Sequence, residues 1–254
     1  MLNTILHGLP GDQPPLLIVH GLYGSARNWG VIAKRLSEAR QVIAVDLRNH
    51  GTSFWADSHS YDDLAADLAE VLEEHGPADV LGHSMGGKAA MVLALRRPDL
   101  VRRLIVADIA PVSYGHSQLD NINAMRAVDL TRVERRSDAD ALLARQIADP
   151  TLRAFFTQSL DVANRRWRLN LEVLAQEMPK IIGFPEISGS FEGPVLFLTG
   201  ANSTYVRPEH RDLIKARFPM AVFAKIPGAG HWLHAEKPRE FEAAVAEWLG
   251  RPIP

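Results

Sequence analysis

Cysteine is absent from the 254 residues, and that absence removes disulfides, thiolate metal ligands and a thiol nucleophile together. The chemistry left is that of hydroxyl, carboxylate and imidazole. Net charge is nearly absent too: 28 Lys and Arg stand against 30 Asp and Glu, so no overall field gathers the chain onto nucleic acid or an anionic membrane. Small molecules are the expected partners. No window is apolar for long enough to cross a bilayer, and residues 1–10 hold no basic segment followed by an apolar stretch. A soluble cytoplasmic protein, monomer or homodimer, is the expectation. Internal repeats and low-complexity tracts are missing as well.

What is present is a length suited to one or two domains and an apolar fraction of 46%, ample for a sizeable core. From residue 16 to 106 short apolar runs alternate with longer amphipathic ones, the pattern of strands and crossover helices in a mostly parallel sheet. Strands are expected at 16–20, 41–45, 80–81 and 101–107, and helices at 29–37, 61–75 and 86–97. The helix over 61–75 carries Asp62 and Asp63 in its first turn, where the dipole favours acids, and His75-Gly76-Pro77 stops it. From 118 to 182 the periodicity is helical with no clear strand. About four short helices, at 119–130, 139–147, 152–160 and 169–178, read as an inserted cap. Strands resume at 195–199 and 221–226, with helices at 210–217 and 239–249. The expected architecture is an α/β core of residues 1–110 and 191–254, with helices on both faces of the sheet, and a helical cap of residues 111–190.

Ser84 is the most informative residue. It stands at the centre of Gly82-His83-Ser84-Met85-Gly86, after a strand and before a helix. A nucleophile on a sharp strand-to-helix turn needs small neighbours, because its backbone is strained and the flanking elements pack close. A serine hydroxyl is a weak nucleophile at neutral pH, so a base must reach it and an acid must orient that base. His231, on the glycine-rich Gly228-Ala229-Gly230-His231-Trp232 after the last strand, is the best base, since sites form at the carboxyl ends of parallel strands. His83, His20 and His50 read as structural. His231 and His234 have metal-like spacing, but no cysteine or clear carboxylate partner supports a metal, so none is expected.

The usual acid position, after the strand at 195–199, reads Gly200-Ala201-Asn202-Ser203-Thr204-Tyr205 and holds no carboxylate. The strand at 101–107 runs directly into Asp108, which is therefore the expected acid, with Ser203 a candidate supporting hydroxyl at the vacant site. Attack on a carbonyl builds charge on oxygen, and backbone N–H groups stabilise it. The amides of Leu22, in His20-Gly21-Leu22-Tyr23-Gly24, and of Met85, after the nucleophile, are the candidate donors. The first of these turns lacks the lysine-serine ending of a phosphate-binding loop. Tyr23, Phe155, Phe156, Trp167 and Trp232 are candidates to wall an apolar acyl pocket, although packing is the favoured role for Phe155 and Phe156 as a pair.

With these motifs in place the chain resembles the α/β-hydrolase superfamily, and more closely the YbfF-like serine esterases of bacteria and their mitochondrial relatives. The resemblance rests on residues 20–25, on Asp46-Leu47-Arg48-Asn49-His50-Gly51-Thr52-Ser53, on residues 82–88, on Asp108-Ile109-Ala110-Pro111-Val112, and on residues 228–238. It implies an acid placed like Asp108, a replacement of the usual acid loop by residues 200–203, and a mainly structural role for Asp46, Arg48 and Ser53. It also implies hydrolysis of short-chain acyl esters, with acyl thioesters a further open class. Covalent serine chemistry needs no cofactor, and none is expected. A serine nucleophile argues against the aspartate-dependent dehalogenases and epoxide hydrolases. Carbon-carbon bond hydrolysis, perhydrolysis and a non-catalytic small-ligand receptor remain open, because function resides in the site rather than the scaffold.

Overall fold

A computed structural model describes residues 1–253. In chain order the strands are β1 (Asn3–His7), β2 (Leu16–Val19), β3 (Val42–Asp46), β4 (Ala78–His83), β5 (Val101–Ala107), β6 (Leu160–Asp161), β7 (Arg166–Trp167), β8 (Val195–Gly200) and β9 (Ala221–Ile226). The α-helices are α1 (Gly30–Leu36), α2 (Tyr61–His75), α3 (Met85–Arg96), α4 (Leu119–Arg126), α5 (Arg136–Leu143), α6 (Pro150–Gln158), α7 (Leu171–Gln176), α8 (Met178–Ile182), α9 (Arg211–Arg217), α10 (Leu233–Glu236) and α11 (Pro238–Gly250). Seven strands form one sheet in the order β1-β3-β2-β4-β5-β8-β9. Every neighbouring pair in it is parallel except β1 with β3.

The two-residue period of the strands sorts their side chains into two cores. Leu17, Val19, Ile43, Val45, Val80 and Val106 face one side, where they pack with Leu64, Leu68 and Met91 of α2 and α3. Leu16, Ile18, Val42, Ala44, Leu81 and Ile105 face the other and meet Ile32 and Leu36 of α1 and Phe241 and Val245 of α11. Helices thus cover both faces, which is why the central strands read as unbroken apolar runs rather than alternating ones. α2 is entered through a reciprocal cap: the Ser60 hydroxyl accepts from the Asp63 amide, and the Asp63 carboxylate accepts from the Ser60 amide, both at 3.2 Å.

Two features depart from the sequence reading. β1 was not expected; it is a half-buried edge strand that pairs antiparallel with β3. The stretch from 118 to 182 contains five short α-helices rather than four, and a small hairpin of β6 and β7 where no strand was expected. Among the described residues no helix is long and apolar enough to cross a membrane.

β4, β5, β8 and β9 are successive neighbours, and their carboxyl ends come out together at one edge of the sheet. Ser84 follows β4 and Asp108 follows β5. The loops bearing Ser203 and His231 follow β8 and β9.

Candidate active site

Ser84 adopts φ +53° and ψ −122°, a strained conformation for a residue with a side chain. Its surroundings explain how the strain is held. A Cβ on Gly82 would collide with the main chain of Gly86, and one on Gly86 would collide with the carbonyls of Val19 and His20. Only glycine lets α3 start this close to β2 and β4. The Ser84 amide donates to the Ala107 carbonyl at 3.0 Å, and the Ser84 carbonyl accepts from the Lys88 amide at 3.1 Å. The residue is therefore clamped between strand and helix with its hydroxyl left over.

That hydroxyl lies 3.1 Å from Nε2 of His231, and Nδ1 of the same ring lies 2.7 Å from Oδ2 of Asp108. A carboxylate accepts only, so Nδ1 carries the proton and donates it. Nε2 is then bare and accepts from the serine. Asp108 is fully buried, and a buried carboxylate must be paired and hydrogen-bonded. Here its Oδ1 accepts from the Gly200 amide at 3.2 Å, and its Oδ2 also accepts from the Ser203 hydroxyl at 2.5 Å. Asp108 itself has φ +53°, with its amide tied to the Leu198 carbonyl at 3.0 Å. The structure therefore brings Ser84, His231, Asp108 and Ser203 into one connected row.

The turn at residues 20–24 is held by neutral histidines. His20 donates from Nδ1 to the Gly21 carbonyl at 2.7 Å and accepts from the Leu47 amide at Nε2, 3.0 Å. His50 accepts from the Tyr23 amide at 3.2 Å and donates to the Arg48 carbonyl at 3.0 Å. Burial lowers the pKa of both rings, which keeps them in the form that accepts a hydrogen bond as well as donating one. Asp46 ties in the neighbouring backbone, accepting from the amides of Ala26 and Thr52 at 2.8 and 2.9 Å. On the other side His83 donates to the His231 carbonyl at 2.9 Å, and His234 stacks on Trp29 at 4.3 Å. His234 faces an aromatic ring rather than sharing a ligand with His231.

A cavity of about 530 Å³ opens over Ser84 and is lined mainly by apolar groups, within the size range of small-ligand sites. Leu22, Tyr23, Met85, Phe155, Phe156 and Trp232 line it. The amides of Leu22 and Met85 donate to no acceptor of the chain among the described residues. Phe155 sits 5.8 Å from the ring of Trp232 and Phe156 meets Tyr23 edge-on at 5.1 Å, so the pair both packs and lines the cavity.

Trp167 is the exception among the expected pocket residues. It is only 6% exposed, its indole N–H donates to the Met125 carbonyl at 3.0 Å, and it is not part of the cavity wall. Its place in β7 turns the ring into the packing of α4 instead. Several wall residues were missed, Lys88 and Tyr205 among them. Lys88, one turn along α3 from Ser84, is buried and donates to the carbonyls of Ile182 and Gly183 at the end of α8. Burial pulls its pKa down to about 7. Its i+4 spacing from Ser84 was the available signal. Tyr205 stacks on His231, and no local pattern announced it.

Comparison with known proteins agrees with this architecture. Residues 14–238 match the family model described as alpha/beta hydrolase fold. The chain is similar to the sn-1-specific diacylglycerol lipase ABHD11 of Mus musculus, at 42% identity over 95% of this chain and 83% of that protein. It is similar to the esterase YbfF of Escherichia coli, at 38% identity over 94% of each chain. Among solved structures, a marine microorganism esterase superposes with a TM-score of 0.90 at 37% identity, over 97% of this chain and 98% of that one. The chain belongs to the α/β-hydrolase superfamily, in the group that includes YbfF and the ABHD11 lipases.

Proposed function

We propose that the protein is a serine esterase that cleaves short-chain carboxylic acyl esters through an acyl-enzyme intermediate, with acyl thioesters as a second substrate class. One observation carries the reading: the Ser84, His231 and Asp108 row, at 3.1 and 2.7 Å, faces an apolar cavity. His231 takes the Ser84 proton onto Nε2 as the hydroxyl attacks the acyl carbon, and Asp108 balances the imidazolium that forms. The Leu22 and Met85 amides receive the developing oxyanion. The proton then passes to the leaving alcohol or thiol. Water activated by His231 attacks the acyl-serine and releases the acid. Ser203 holds Asp108 in place, and no cofactor takes part.

The helices between β5 and β8 act in this proposal as a cap, residues 111–190, over the core of residues 1–110 and 191–254. Phe155 and Phe156 from α6 and Tyr114 from the β5 exit wall the acyl site. The near balance of charge supports a small-molecule substrate over a polyanion. The names of the esterase and lipase relatives support ester cleavage as the reaction.

The test is a panel of p-nitrophenyl esters of increasing chain length beside acyl-CoA thioesters, with Ser84→Ala as control. Turnover of the short esters that vanishes in the variant is expected. A wild-type protein that turned over none of them, and whose Ser84 took up no organophosphate, would sink the proposal in favour of a receptor.

A further inference from the structure

The ring of His231 has two close aromatic neighbours. Tyr205 lies on one face at 3.9 Å between centroids and 19° between planes, and His83 lies 4.9 Å away at 41°. The tyrosine is fixed along its whole length. Its amide donates to the Ser203 hydroxyl at 3.2 Å, and that hydroxyl holds Asp108. Its carbonyl accepts from the Tyr114 hydroxyl at 2.8 Å, which itself accepts from the Ala110 amide at 2.9 Å. Its own hydroxyl pairs with Nε2 of His116 at 3.0 Å. Three attachments on a half-buried loop residue set one ring nearly parallel to one imidazole, which is more order than packing alone requires.

On the serine esterase reading, the His231 ring is neutral at rest and carries a full positive charge while the tetrahedral intermediate stands. An aromatic face is electron-rich, so it attracts a cation lying over it more than a neutral ring. Interactions that strengthen only as charge develops raise kcat rather than lowering KM. We infer that Tyr205 is a positioning residue that orients His231 and stabilises its imidazolium form through the stacked π face, an inference that rests on the proposed esterase mechanism. The other groups around the imidazole are Ser84 and Asp108 on its nitrogens, His83 from β4, His234 from α10, and Glu236, which holds the neighbouring Gly230 amide at 2.7 Å. His83 is kept neutral by burial and lies tilted at 41° to the imidazole, whereas Tyr205 presents its face to it at 19°.

The experiment compares Tyr205→Phe with Tyr205→Leu. The phenylalanine variant keeps the face and loses only the His116 bond, so its kcat should stay within about twofold of wild type. The leucine variant keeps apolar cover and loses the face. Its kcat for p-nitrophenyl butyrate should fall about tenfold with KM within about twofold, and the acidic limb of its kcat/KM profile should move to lower pH. NMR titration of the His231 ring in a Ser84→Ala background, where no turnover is needed, should show the same downward shift on Tyr205→Leu. If wild type hydrolyses no ester, the esterase reading fails. If wild type is active but the leucine variant matches it in kcat and in His231 titration, this inference fails alone. An equal loss in both variants would also overturn it, because the hydroxyl and not the face would then be at work.

Discussion

At the residue scale the acid is the most exposed part of the proposed mechanism to experiment. Asp108→Asn keeps the shape of the side chain and can still accept from the Gly200 amide. Its amide nitrogen would then face His231 and Ser203 as a donor, which drives the imidazole into the tautomer that cannot accept from Ser84. A fall in kcat of roughly 10³ to 10⁴ is expected for p-nitrophenyl butyrate, with the folded spectrum retained. Ser203→Ala removes one of three donors to the same carboxylate, and about a tenfold loss is expected. If Ser203→Ala were as damaging as Asp108→Asn, the hydroxyl and not the carboxylate would be central. Ser84, His231 and Asp108 were legible in the sequence because each is tied to the end of a recognisable strand. The vacancy after β8 pointed to Asp108 as the candidate acid by exclusion, and the structure sets it 2.7 Å from His231. Tyr205 was not legible, since its stacking depends on where two loops from different strands meet, and Trp167 was misplaced because an aromatic residue in a helical stretch does not reveal which way its ring faces.

At the element scale the glycines of the elbow and of α1 make a contrast that the sequence alone does not show. Gly30 begins α1 in ordinary helical conformation, and nothing lies within 4 Å of where its Cβ would be. Gly30→Ala should therefore stabilise the protein by about 0.4–1 kcal/mol, mainly by reducing the freedom of the unfolded chain. Gly86→Ala would drive a methyl group into the carbonyls of Val19 and His20, which are main-chain atoms and cannot rotate aside. A loss of about 1–3 kcal/mol is expected, together with lost activity, because the same displacement moves the turn that carries Leu22. Urea unfolding of the two variants side by side checks both signs. The core strands were readable because burial on two faces leaves continuous apolar runs. β1 was not, since an edge strand that is half-buried along most of its length carries neither a run nor an alternation. The β6–β7 hairpin has two residues per strand, too few for any period to register.

At the scale of the whole molecule the buried histidines govern stability in acid. His20, His50, His59, His83 and His234 are all held below the ordinary histidine pKa, with burial the leading cause in each, His59 and His234 to about 3. The unfolded chain takes up these protons below about pH 6.5 and the folded chain does not, so stability falls as pH falls through that range. Above it both states are neutral and the effect vanishes. Each ring held neutral contributes at most about 1.4 kcal/mol per pH unit, a large effect beside an ordinary stability of about 5–15 kcal/mol. Chemical denaturation midpoints should drop as pH falls below about 6.5. A midpoint that held level down to pH 4 would contradict this. The chain leaves the sheet after β5 and returns to it at β8. Ser84 and Asp108 come from the first half and Ser203 and His231 from the second, so neither half owns a working row. A single peptide-bond cut near the exposed Gly115 and His116 would leave two pieces, each inert alone, and recovered ester turnover would then serve as a direct readout of their reassembly.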